Sequence, residues 1–98
     1  MTAGGTSDMK FIKLHWFERK SSFSDIIYKG EIAISIDEIT FVEVSDIKLK
    51  SLKLGDVEKE YLSNLNKDGK LSIVHTKIYE LEEFLVAETV KDIFDLIR

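Results

Sequence analysis

The C-terminal stretch, residues 85–98, limits the architecture of this chain more than any other segment. Leu85, Val86 and Ala87 form a short apolar run after the acidic Glu82 and Glu83, the pattern of a strand leaving a turn. Thr89 then stands where a helix N-cap is needed. Its hydroxyl is placed to accept from a first-turn N–H, and Asp92 three residues later completes an acidic form of the capping box. Asp92 lies near the positive end of the helix dipole and Arg98 near the negative end. Val90, Ile93, Phe94 and Ile97 recur at the spacing of one helical face, with Leu96 off the stripe. So short a helix does not persist alone in water, where about 12–15 residues are marginal. It must dock, and burying four such side chains stabilises by at most roughly 6–12 kcal/mol.

The rest of the chain supplies the surface it docks on. Residues 10–17 alternate, with Ile12, Leu14 and Trp16 on one side and Phe11, Lys13, His15 and Phe17 on the other, a strand apolar on both faces. Residues 18–25 are polar and rich in serine, a loop. Ile26, Ile27 and Tyr28 extend a strand up to a turn at Lys29-Gly30. Ile32, Ile34 and Ile36 alternate with Ala33, Ser35 and Asp37, a half-buried strand, and residues 40–44 form another after a break at Asp37-Glu38.

In residues 46–70, Leu49, Leu52 and Leu54 suit either period. Asp56 is placed to cap a helix over residues 57–64, with Val57, Tyr61, Leu62 and Leu65 on one face. Asn66-Lys67-Asp68-Gly69 ends it as a turn, and residues 71–79 form a two-faced strand, Ile73 and Tyr79 opposing Val74 and Ile78. The fold class expected is α+β: an antiparallel β-meander of about five strands, a C-terminal helix on one face and an inserted middle helix. Residues 1–8 read as a disordered lead, and residues 9–98 as a single domain.

Charge and cysteine content exclude whole classes of function. With 14 basic and 18 acidic residues the net charge is −4, which opposes general affinity for nucleic acid or anionic membranes. The nearest approach to a basic run, Lys48-Leu49-Lys50-Ser51-Leu52-Lys53, interleaves with leucine and reads as a solvated face. There is no cysteine, so thiolate chemistry is ruled out and a reducing compartment fits; with no spanning run or signal region, the cytoplasm is the expected location.

Four segments carry a resemblance. They are Ile12-Lys13-Leu14-His15, then Ile34-Ser35-Ile36-Asp37-Glu38-Ile39, then Thr76-Lys77-Ile78-Tyr79, and lastly Val86-Ala87-Glu88-Thr89-Val90-Lys91-Asp92-Ile93. Together they resemble small bacterial β-rich proteins that end in a V-x-E-[ST]-V-x-[ED]-[IVL] helix, the layout of small flagellar proteins of the FlbD type. The similarity covers about half the chain. The chain departs from that layout by a polar insertion after His15 and another at about residues 46–70. The resemblance implies a small accessory or interaction protein and carries no catalytic residue across.

Residues that suggest chemistry are few. Asn64-Leu65-Asn66-Lys67-Asp68-Gly69 imitates the start of a calcium loop, but position one is Asn and position twelve is His75, where a bidentate Glu is needed. It reads as a helix stop. His15 and His75 both lie on expected strands; if those strands pair, a metal could be held with Glu43, although such histidines are more often plain sheet positions. A hydrolytic site would need one of these histidines as base, and Ser21, Ser22 and Ser24 offer hydroxyls without an elbow or oxyanion signature. Gly30, Gly55 and Gly69 stand alone and cradle no phosphate.

The function expected is therefore a non-enzymatic interaction module, without cofactor or metal, that self-associates or binds a protein partner through apolar sheet surface. The interface residues expected are Trp16 and Phe17 on the first strand with Ile73 and Val74 on the fourth, and Trp16→Ala is expected to weaken assembly. The rival expectation is a small metal-dependent or hydrolytic enzyme using His15, His75 and nearby carboxylates.

Overall fold

A computed structural model of the protein describes residues 10–19, 26–77 and 83–98. Its strands are β1 (Phe11–Arg19), β2 (Ile26–Ser35), β3 (Ile39–Lys48), β4 (Lys70–Thr76) and β5 (Glu83–Val86). The α-helices are α1 (Asp56–Leu65) and α2 (Val90–Ile97), and short 3-10 turns occupy Ile36–Glu38 and Leu49–Ser51. The strands make one antiparallel five-stranded sheet in the order β2-β1-β5-β4-β3, so the architecture is α+β. None of the described helices is long and apolar enough to cross a membrane.

The meander is interrupted once. β2 and β3 are successive in the chain but lie at opposite ends of the sheet, while β5 inserts between β1 and β4. Only the turn Ile36–Glu38 joins β2 to β3. Such a link reaches at most about 14 Å, whereas the outer strands of a flat five-stranded sheet lie roughly 19 Å apart. The sheet must therefore curl until its outer strands meet at that corner. At the corner each flanking ladder gains one more bond: Ile36 N–H donates to the Lys10 carbonyl (3.0 Å) beyond the β1–β2 pairs, and Lys77 N–H donates to the Glu38 carbonyl (2.8 Å) beyond the β3–β4 pairs.

The curl divides the core. The inner face gathers Ile12, Leu14, Ile34, Val74, Phe84 and Val86 around Ile93 of α2, with Trp16, Ile32, Ile39 and Val42 at its margin. The outer face gathers Phe17, Ile26, Leu71 and Leu85 beneath Leu62 of α1 and Leu49. The middle excursion, residues 49–65, thus covers the sheet face that α2 does not reach. This is the arrangement the two-faced strands require.

Several local expectations change. Lys29-Gly30 is not a turn, because β2 runs through it; Trp16 pairs with Gly30 and Phe17 with Tyr28, leaving Lys29 as the extra residue of a bulge. Gly30 sits at φ +97°, a backbone state that glycine adopts without steric cost. The N-cap of α1 is Gly55, whose N–H donates to the Glu58 carboxylate (3.4 Å), and Asp56 is already helical. That helix is anchored by Leu62 and Leu65, whereas Val57 is 82% exposed. On α2 the Thr89 hydroxyl accepts from Asp92 N–H (3.1 Å), as expected, but Phe94 is 50% exposed and lies outside the core. Ile78 and Tyr79, Ser21, Ser22 and Ser24, and the lead 1–8 lie outside the described residues.

Candidate functional site

The described ladder between β1 and β5 runs through Trp16–Val86 and Phe17–Leu85. The chain then leaves the sheet toward α2, so His15 loses a strand partner for its N–H. Glu88 takes that place. Its carboxylate accepts the His15 backbone N–H (2.9 and 3.2 Å to its two oxygens) and lies 2.6 Å from the ring Nδ1, while Ala87 N–H donates to the His15 carbonyl (2.8 Å). Glu88 is only 4% exposed and His15 8%, and polar groups at that depth need the hydrogen bonds they make to each other.

The chain of contacts continues to α1. Tyr61, half exposed, places its hydroxyl 3.0 Å from His15 Nε2. A carboxylate only accepts, so in the neutral imidazole Nδ1 carries the proton and Nε2 accepts from the phenol. Tyr28 stacks beside the imidazole, ring centroids 6.5 Å apart, and packs on Phe17 at 5.3 Å. Its phenol is held above the ordinary tyrosine range, first by burial and then by Tyr61, Glu31, Glu58 and Glu88 around it. The resulting order, hydroxyl, imidazole, carboxylate, ties α1, β1 and the β5–α2 junction together and aligns an acceptor with an exposed phenol.

His75 belongs to a separate group. Its Nε2 is 2.5 Å from Glu43, its Nδ1 is 3.8 Å from Glu83, and Phe41 stacks on the ring at 3.9 Å. The expected approach of the two histidines fails because β5 separates β1 from β4. His15 lies beside Ala87 and His75 beside Glu83, four residues away along β5, on the order of 13 Å. Glu43 therefore serves His75 alone. Among the described residues, no group of three or more histidines and carboxylates is placed to hold a metal ion.

Of the expected interface residues, Trp16, Phe17 and Ile73 line one hollow beside Leu85, and Val74 is not part of it. Phe17 and Val74 are buried in the outer and inner cores respectively. Trp16 packs edge-on against Phe84 (5.6 Å) at the margin of the inner core, and Ile73 is half-buried against the outer core. The exposed apolar side chains lie elsewhere, among them Phe41 and Val44 on β3, Val57 and Tyr61 on α1, and Phe94 and Leu96 on α2. The sequence marks Glu88 only as a position of the C-terminal motif, with no buried partner assigned to it, and does not signal the exposure of β3. Comparisons with protein-family models, with curated proteins and with solved structures each returned no match.

Proposed function

We propose that this protein is a non-enzymatic cytoplasmic interaction module that self-associates through the free edge of β3. The observation that carries this reading is the edge itself. Among the described residues β3 pairs only with β4, and Phe41 (54% exposed) and Val44 (59%) stand out from it. The pairing shifts before Phe41 and again after Val44, leaving residues 41–44 as an unbroken run with an open side. Unpaired N–H and C=O groups with apolar neighbours template another strand. A second copy can add its own β3 antiparallel about a two-fold axis, the self-complementary arrangement that closes a dimer. Pairing of residues 41–44 about the axis sets Val44 of each copy beside Phe41 of the other, and Val44 also lines a hollow with Thr89 and Val90 at the start of α2. Val44→Lys sets an ammonium group against the apolar Phe41 of the second copy. Light scattering should give a dimer for the native chain and a monomer for the variant; a native monomer at high concentration would refute the reading.

A second reading rests on the alignment of Tyr61, His15 and Glu88. It matches the order of nucleophile, base and orienting group used in acyl transfer. Hydrolysis of an activated ester that disappears in Tyr61→Phe would favour it, and absence of turnover by the native protein would dismiss it.

A further inference from the structure

We propose that the basic concavity between the end of β3 and the turn after α1 binds a compact polyanion bearing two or more phosphate groups. Two stretches that seemed unconnected in the sequence meet there. The Lys48–Lys50 stretch lies against the 66–70 turn, with Leu49 N–H bonded to the Gly69 carbonyl at 2.7 Å. Between them opens a cavity of about 440 Å³ lined by Lys48, Lys50, Lys67 and Lys70, with Ser63 and Asp68.

The charge balance is unusual for a chain of net charge −4. Four ammonium groups surround one carboxylate, and among the described residues none of the four lysines forms an ion pair. Like charges within about 10 Å of one another repel through solvent at physiological salt. A bound anion removes that repulsion, which neutral occupants cannot do.

The frame is fixed although the lysine ends are free. Asn66 is buried, and its side-chain amide donates to the carbonyls of Lys70 (2.6 Å) and Ala87 (2.7 Å) while its oxygen accepts Gly69 N–H (2.9 Å). Asn66 is thus occupied as the brace of the turn, and the lysines rise from a backbone that does not need to rearrange.

The lining also selects the ligand. Its cations are all lysine, which offers point charges and no planar fork, so the site suits the distributed charge of phosphate oxygens better than a bidentate carboxylate. The volume matches a small molecule, within the roughly 300–1,000 Å³ of ligand pockets, and is too small for a folded partner. The shared chemistry is a polyphosphate group, either free or as the tail of a nucleotide.

Calorimetric titration of the full chain with inorganic tripolyphosphate, ATP and citrate tests this. Tripolyphosphate should bind, citrate should bind more weakly, and affinity should fall as salt rises. Equal affinity for ATP and tripolyphosphate assigns the phosphates alone; tighter ATP binding assigns a nucleotide. The paired change Lys50→Gln and Lys67→Gln should weaken binding about tenfold. The control pair Lys13→Gln and Lys29→Gln, with the same change in net charge, should leave it unaltered. Absence of tripolyphosphate binding, citrate binding as tightly, or an equal loss in the control pair would overturn the proposal.

Discussion

The carboxylate of Glu88 receives both the backbone N–H and the ring Nδ1 of His15, residues far apart in sequence and almost fully enclosed. Glu88 thereby extends the contact of β1 with β5 past the last paired residue and holds the chain in place where it turns into α2. Glu88→Ala leaves a buried N–H and a buried imidazole without their acceptor. Urea unfolding should show a loss of about 3 kcal/mol. Glu88→Gln, which retains one acceptor oxygen, should lose less. A loss within experimental error for the alanine variant would mean that water replaces the carboxylate.

The two ends of α1 carry opposite predictions. Leu62 is fully buried in the outer core, whereas Val57 faces solvent. Leu62→Ala should destabilise by about 2–5 kcal/mol through cavity formation. Val57→Ala should stay within about 0.5 kcal/mol of the native protein. Comparable losses in both would place the wrong face of α1 against the sheet.

Much of this fold was legible in the sequence, and the parts that were not have physical causes. The Thr89 cap is a local signal and stands where the spacing put it, and the alternation of β1 assigned Ile12 and Leu14 to one core and Phe17 to the other. The helical period of α1 brought Val57, Tyr61, Leu62 and Leu65 onto one arc, but only the curvature of the sheet decides which part of that arc is covered. Strand order escaped because a three-residue link between β2 and β3 reads as a hairpin, and nothing local announces that β5 will insert beside β1. Glu88 escaped for a different reason. A lone acidic residue is read as exposed by default, and its partner lies at the other end of the chain.

Tyr28 should govern stability in alkaline solution. Burial, with Tyr61, Glu31, Glu58 and Glu88 nearby, raises its phenol above the ordinary tyrosine value. A group whose proton is held more tightly in the folded state contributes stability that is complete below its unfolded value. That contribution is lost as pH rises through the folded value. The melting temperature should therefore fall as pH climbs past about 10, and Tyr28→Phe should flatten part of that fall. An identical alkaline profile in the variant would assign the loss to other groups.

The exposed edge of β3 is the element on which the functional reading turns, and amide hydrogen exchange followed against protein concentration tests it most directly. With β3 as the self-association edge, exchange in Ile39–Lys48 should slow as concentration rises, while the other outer strand, Ile26–Ser35, should be unchanged. Exchange in β3 that is independent of concentration, or protection that appears on β2 instead, would contradict it.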